Sequence, residues 1–337
     1  MDVQRAIQEI HKQNFQAVYL VLGTEEYLQD QIRTAFTESL QLAKDDLNFA
    51  QFDLEEESVD DLLDEAESMP FFGDYRLVFA DHPAFLTAEK KSHTPEHNLD
   101  RMANYLKDPA ATTILVFFAD YDKLDQRKKV SKYLKKYGET IDTQPLNEAQ
   151  VRRFLQQTLT NAEIRMDRKA FELFIRLTKA NLSKAMKELD KLILFASQSK
   201  HISVTDIENL LPKTLEDNIF DLTNNVLNKK TSQALQLYQD LLIQGEETIK
   251  INAILLSQIR LYLQTALLVK EGYQQGKIVQ ILKVHPYRVK LAMQEVRHIE
   301  LTTLIDLYDE LIENDYKIKT GQMDKEFLFE LFLLKRA

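Results

Sequence analysis

Few residues in this chain are of the types and spacings that do chemistry. His93 and His97 form an HxxxH pair with His82 nearby, a spacing that on one helix face would offer two imidazoles to a metal ion. Pro95 stands between them and breaks the helix that would align the rings, so the pattern argues against a metal site. Leu22, Gly23, Thr24, Glu25, Glu26 and Tyr27 follow the first apolar run, at the point where a phosphate would meet a helix N-terminus. A working phosphate loop reads GxxxxGK[S/T], with glycines that let backbone N–H groups approach and a lysine that neutralises charge. Here there is one glycine, no lysine, and two carboxylates that would repel a triphosphate. Asp81 and Asp120 end later apolar runs but lack the paired Asp-Glu that would hold Mg²⁺ and polarise a water. No glycine-flanked serine marks a nucleophile, and with no cysteine there is no thiolate. The expectation is a nucleotide-domain shape without its chemistry: no catalytic residues, no cofactor and no metal.

Two other features are suited to binding. In SMPFFGDYRLVF, Ser68 to Phe79, the adjacent Phe71 and Phe72 follow Met69 and Pro70 at the end of an acidic helix, where nothing requires burial. One reading makes the two rings a plug for another molecule's pocket; the alternative folds them back onto the following strand. Lys123, Arg127, Lys128, Lys129, Lys132, Lys135 and Lys136 surround an apolar line of Val130, Leu134 and Tyr137, which predicts a helix with one cationic face. Such a face is either solvated or a contact for phosphates or an acidic partner. A lesser basic cluster is Lys317, Lys319 and Lys325.

Composition limits what these features can mean. At 337 residues the chain is too long for one ordinary core. Its 53 acidic against 43 basic residues give a net charge of −10, which disfavours a free-standing nucleic-acid binder because phosphate contacts need cations. The absence of cysteine suits a reducing compartment. MDVQRAIQEIHKQ reads as a polar amphipathic stretch rather than a signal peptide, and no apolar run approaches the roughly 20 residues of a membrane span. The expectation is a cytoplasmic protein.

The elements that must position these residues follow from apolar spacing. Up to residue 145, short apolar runs at Ala17 to Leu22, Leu47 to Phe52, Arg76 to Ala80, Thr113 to Ala119 and Glu139 to Thr143 alternate with helical stretches. One of these carries the stripe Leu28, Ile32, Phe36 and Leu40, and another opens on Ser58 and Asp61 in the manner of a capping box. The alternation predicts a parallel sheet covered by helices, since parallel strands require crossover connections. Only 7 Gly and 7 Pro occur, and none lies between Pro145 and Pro212, where Phe171, Phe174, Ile175, Leu182, Met186, Leu189 and Ile193 recur at helical spacing. A second helical block covers 213–337, with long periodic segments at Ala234 to Leu242, Ile249 to Leu268 and Leu301 to Ile318. The expected division is 1–145, 146–212 and 213–337.

Taken in order, several segments resemble the delta subunit family of the bacterial DNA polymerase III clamp loader over nearly the whole chain. They are VYLVLGTEEYL at Val18 to Leu28, MPFFGDYRLVF at Met69 to Phe79, KLDQRKKVSKYLKKYG at Lys123 to Gly138 and KELDKLILF at Lys187 to Phe195. NIFDLTNNVL at Asn218 to Leu227, LLIQGEE at Leu241 to Glu247, VHPYRVKLA at Val284 to Ala292 and DxxxKTG at Asp315 to Gly321 continue the pattern.

The resemblance implies an AAA+-type fold: an α/β domain with a P-loop-like parallel sheet and a degenerate nucleotide site, then two all-α domains, a helical lid and a helical collar. It implies a non-catalytic subunit that grips and opens the beta sliding clamp. Partner subunits, gamma/tau and delta prime in a hetero-pentamer, would bind and hydrolyse ATP and load the clamp on primer-template DNA. The clamp-binding positions carried over are Phe71 and Phe72, flanked by Met69 and Pro70; Lys123, Arg127, Lys128 and Lys132 are candidate DNA contacts. The rival readings are an active AAA+ ATPase or helicase loader, which would need a phosphate-binding lysine after the first strand, and a helical adaptor without a DNA role.

Overall fold

The computed structural model describes residues 1–43, 45–71, 73–88 and 95–335. The chain packs as two compact units, 1–155 with 181–190, and 156–180 with 191–337.

In the first unit the elements are α1 (Val3–His11), β1 (Val18–Leu22), α2 (Glu26–Leu40), β2 (Phe49–Asp53), α3 (Val59–Ala66), β3 (Arg76–Asp81), α4 (Leu99–Tyr105), β4 (Thr113–Ala119), α5 (Lys129–Tyr137) and β5 (Glu139–Asp142). The five strands form one parallel sheet in the order β2-β3-β4-β1-β5. Strands β3 and β4 are buried along their whole length, as strands covered on both faces must be. Side chains alternate between the faces. Val18, Leu20, Val78, Ala80, Leu115 and Phe117 pack with α3, α4 and α5. Tyr19, Phe79 and Phe118 turn the other way, toward Phe36 of α2 and one another, with ring centroids 5.0 Å apart for Tyr19–Phe36 and 5.1 Å for Phe79–Phe118. Leu28, Ile32 and Phe36 are buried as the stripe requires, while Leu40 is half-buried.

The helix α6 (Glu148–Asn161) begins in the first unit and ends in the second, and β6 (Arg165–Met166), α7 (Arg168–Thr178), α8 (Leu182–Phe195), β7 (His201–Ile202) and α9 (Val204–Leu210) follow; Asn181 and residues 182–190 of α8 belong to the first unit. The pair β6 and β7 is a two-residue parallel ladder inside a block whose spacing predicts helix alone. Then come α10 (Leu215–Leu227), α11 (Thr231–Ile243), α12 (Thr248–Lys270), α13 (Gln275–Leu282), α14 (Pro286–Glu295), α15 (Leu301–Lys319) and α16 (Lys325–Lys335). Among the described helices α12 alone has the length and hydropathy to cross a membrane, more than the apolar runs suggest. It is the central helix of its unit: Ile251, Leu255, Ile259 and Tyr262 lie in the same core as residues of α10, α11, α15 and α16.

Caps set several helix starts. Ser58 accepts the Asp61 N–H at 3.1 Å and donates to its carboxylate, a one-sided version of the expected box. Two-sided boxes form instead at Ser203 with Asp206 and Thr214 with Asp217, opening α9 and α10.

Candidate functional site

The loop after β1 is held against the segment that follows β5. Gly23 sits at φ +146°, and a Cβ there would lie 2.1 Å from the Thr143 backbone, so only glycine fits between β1 and the segment after β5. Its N–H donates to Ala119 O, and the Glu25 N–H donates to Thr143 O at 3.0 Å. Glu25 is only 5% exposed. Its carboxylate accepts the Ser183 backbone N–H at 3.1 Å and the Ser183 hydroxyl, and that hydroxyl in turn accepts the Tyr27 N–H at 3.0 Å. An anion at this point would need free N–H groups at the start of α2; one of them is already bonded. Glu26 is exposed, so of the two carboxylates expected to repel phosphate, one is held inside the protein. Asp81 binds the guanidinium of Arg33 and the amide of Gln51 at 2.6 Å.

His93 lies outside the described residues. His97 is half-buried with its ring 5.0 Å from that of Phe85, and His82 pairs through Nδ1 with Asp53 at 3.0 Å. Among the described residues no group of three His, Asp or Glu side chains is placed to hold a metal. Burial lowers the pKa of His82, but the Asp53 hydrogen bond and the charges of Asp53, Asp120 and Asp81 outweigh it and raise the pKa above the ordinary value.

The basic segment is not one helix. Residues Lys123 to Lys128 precede α5, because Leu124 is buried and Asp125 bonds back to Leu86 O, which fixes an irregular turn. Arg127 is bidentate to Asp125 at 2.9 and 2.8 Å, and with the Arg127 N–H this holds the Asp125 carboxyl well below the usual range. The Lys128 ammonium donates to Phe85 O at 2.8 Å and Thr87 O at 2.6 Å, holding that loop to the foot of α5. Lys129 pairs with Asp100 at 2.9 Å. Lys123, Lys132 and Lys135 are exposed and carry no ion pair among the described residues. In the second unit Lys317 and Lys319 pair with Glu313 and Asp315 on their own helix.

The apolar loop between α3 and β3 has the opposite character to the loop after β1. Met69 is 84% and Phe71 62% exposed, and Pro70 is half-buried. Phe72 lies outside the described residues. The Phe71 ring therefore does not fold back into the core. Backbone contacts hold the loop: Asn48 Oδ1 accepts the Phe71 N–H at 2.7 Å, and Arg76 Nη1 donates to Met69 O at 3.4 Å. The same guanidinium pairs with Glu65 and lies 5.7 Å from the Phe71 ring centroid. Gly73, at φ +85° with open space around it, turns the chain back toward β3. Behind the loop, Arg101 bonds three carboxylates of the acidic helix and its end, Asp60 at 3.1 Å, Asp64 at 2.6 Å and Glu67 at 2.8 Å, offsetting their mutual repulsion. Asn48, Arg76 and Arg101 carry no sequence signal of this role, because their partners lie 23, 7 and 34 to 41 residues away or are backbone atoms.

Comparison with known proteins decides the family. The family model for the DNA polymerase III delta subunit matches residues 19–144, and that for the C-terminal domain of the same subunit matches 216–336. The DNA polymerase III subunit delta of Bacillus subtilis (strain 168) is 39% identical over 319 residues, 94% of this chain and 92% of that one. The chain belongs to the DNA polymerase III delta subunit family. A probable delta subunit from Aquifex aeolicus (strain VF5) is 22% identical over 176 residues, 51% of this chain and 50% of its own. The solved structure of the Bacillus subtilis DNA clamp loader delta protein matches with a TM-score of 0.70 and 37% identity over 99% of each chain. The sheet domain and the helical region after it are thus the delta-family fold.

The geometry sets two expectations. Gly23→Ala should cost at least about 2 kcal/mol in urea unfolding, since both the backbone angle and the Thr143 contact oppose a side chain. His82 should titrate above about 6.5 by NMR, and Asp53→Asn should bring it back down. With a raised folded pKa, the stability His82 contributes is present below its unfolded value and lost as pH rises through the folded one.

Proposed function

We propose that this chain is the clamp-gripping subunit of its clamp loader and that the loop at Met69, Pro70, Phe71 and Phe72 inserts into an apolar pocket of the ring-shaped beta sliding clamp. The exposure of Met69 and Phe71 on a tethered loop is the observation that carries the reading. Burying one phenylalanine is worth roughly 1.5–3 kcal/mol, enough for two rings and a methionine to anchor a complex. The ring opens only if the loop binds its open form better than its closed form, because equal affinity shifts nothing.

The rest of the assembly follows from that task. The chain has no catalytic role; partner ATPases of the gamma/tau kind, with delta prime, complete a hetero-pentamer that binds and hydrolyses ATP in the cytoplasm. Gly23 packed on Thr143, and Glu25 engaged with Ser183, support a first domain that binds no nucleotide itself. The division into a sheet domain (1–145), a lid (146–212) and a collar (213–337) belongs to the same proposal, with Ile305, Ile312 and Tyr316 on α15 exposed for neighbouring subunits. Of the candidate DNA contacts Lys123, Arg127, Lys128 and Lys132, the two that are exposed and carry no ion pair among the described residues, Lys123 and Lys132, are favoured to meet primer-template DNA.

Surface plasmon resonance against the cognate clamp tests the grip. Phe71→Ala with Phe72→Ala, matched to wild type by circular dichroism, should lose at least about 2 kcal/mol of binding; undiminished binding would place the grip elsewhere. Lys132→Glu should leave clamp binding intact while lowering loading on primed DNA by the assembled complex, with a shallower salt dependence. Equal loading at moderate salt would remove this lysine from the DNA path.

A further inference from the structure

Exposed apolar side chains on a loop tend to collapse onto the nearest apolar surface, and here they do not. Two nearly buried polar residues hold the backbone that carries them. Asn48, 6% exposed, immediately precedes β2; Arg76, 4% exposed, is the first residue of β3. Both are fixed by the sheet: the Leu77 N–H donates to Asn48 O at 2.8 Å, and the Arg76 N–H donates to Thr112 O at 2.8 Å. From these bases Asn48 accepts the Phe71 N–H and Arg76 donates to the Met69 carbonyl.

The gripped atoms bracket Pro70, whose ring restricts its own φ and whose nitrogen carries no hydrogen. Gripping the chain on both sides of that residue fixes the direction in which Met69 and Phe71 leave the backbone. Arg76 adds a second constraint, because its guanidinium joins Glu65 of α3 to the loop and faces the Phe71 ring. The backbone is therefore ordered through contacts that leave both side chains outside.

We propose that Asn48 and Arg76 are positioning residues that hold Met69 and Phe71 in their docking geometry before the partner arrives. The inference rests on the reading that this loop is what docks. Its physical content is that the loop is ordered in advance, so association does not have to order it. Neither residue need touch the partner.

The test separates the two readings by measuring the free protein as well as the complex. In the free chain, Asn48→Ala should raise the exchange rate of the Phe71 amide by roughly three- to tenfold, the range expected for loss of one hydrogen bond, while Asn48→Asp, which keeps an acceptor oxygen, should not. Thermal unfolding measured beside exchange separates local release of the loop from loss of the whole fold, because Asn48 is nearly buried. Against the clamp, Asn48→Ala should weaken binding about tenfold and Asn48→Asp should restore most of it. Arg76→Lys, which keeps a charge for Glu65 but loses the fork, should also weaken binding. If Phe71 exchange is the same in Asn48→Ala and wild type, or if Asn48→Ala binds like wild type while Phe71→Ala does not, positioning is overturned and the docking reading stands. If Phe71→Ala also binds like wild type, the docking reading fails and the positioning role fails with it.

Discussion

All five strands of the first unit run the same way, and the placement of every loop discussed above follows from that. A parallel sheet sends each chain end to a fixed edge: segments that follow strands gather at one edge, and segments that precede strands gather at the other. The strand order 2-3-4-1-5 places β1 where the winding changes direction, which in open α/β sheets is where the crevice for a ligand opens. The protein uses its two edges in opposite ways.

At the edge after the strands, where a nucleotide would be expected, the groups that would meet its phosphates are engaged by the chain itself. Thr143 occupies the place of a Cβ on Gly23, Glu25 reaches the start of α8, and Arg33 with Gln51 engages Asp81. At the edge before the strands, polar side chains are buried and apolar ones are exposed. Asn48 and Arg76 lie at the feet of β2 and β3, paired in register as Phe49 is with Leu77, and they hold Met69 and Phe71 out in solvent. That reversal of the usual burial order is costly for a folded chain unless a partner covers the exposed side chains.

Sequence made the sheet legible because its central strands are buried on both faces and so appear as unbroken apolar runs; Thr113 to Ala119 coincides with β4 residue for residue. Edges were less legible. The run beginning at Leu47 starts two residues too early, since Leu47 is exposed and Asn48 turns its side chain to the Phe71 backbone. In the basic segment, the cations from Lys123 to Lys128 were read into one helix with Val130, Leu134 and Tyr137, although the Asp125 N–H bonds to the Leu86 carbonyl and α5 begins only at Lys129. The roles of Lys128, Asn48 and Arg101 stayed hidden because they depend on backbone atoms or carboxylates distant in the chain. The pairing of β6 with β7 is two residues long, too short for a period of two to show. The Phe71 and Phe72 pair stood out because an aromatic doublet after proline in an acidic setting has no packing requirement from local pattern, and the exposure of Phe71 bears on that choice directly.

The bond between Glu25 and Ser183 has a consequence for timing. Its two partners are parts of one chain, so their local concentration is set by the fold and does not vary with what the cell supplies. A phosphate in the same position would come and go with each turnover, carrying information about a nucleotide's state to the start of α8. A carboxylate tethered by the backbone carries none. Such a contact gives the start of α8 a constant reference geometry against the loop after β1.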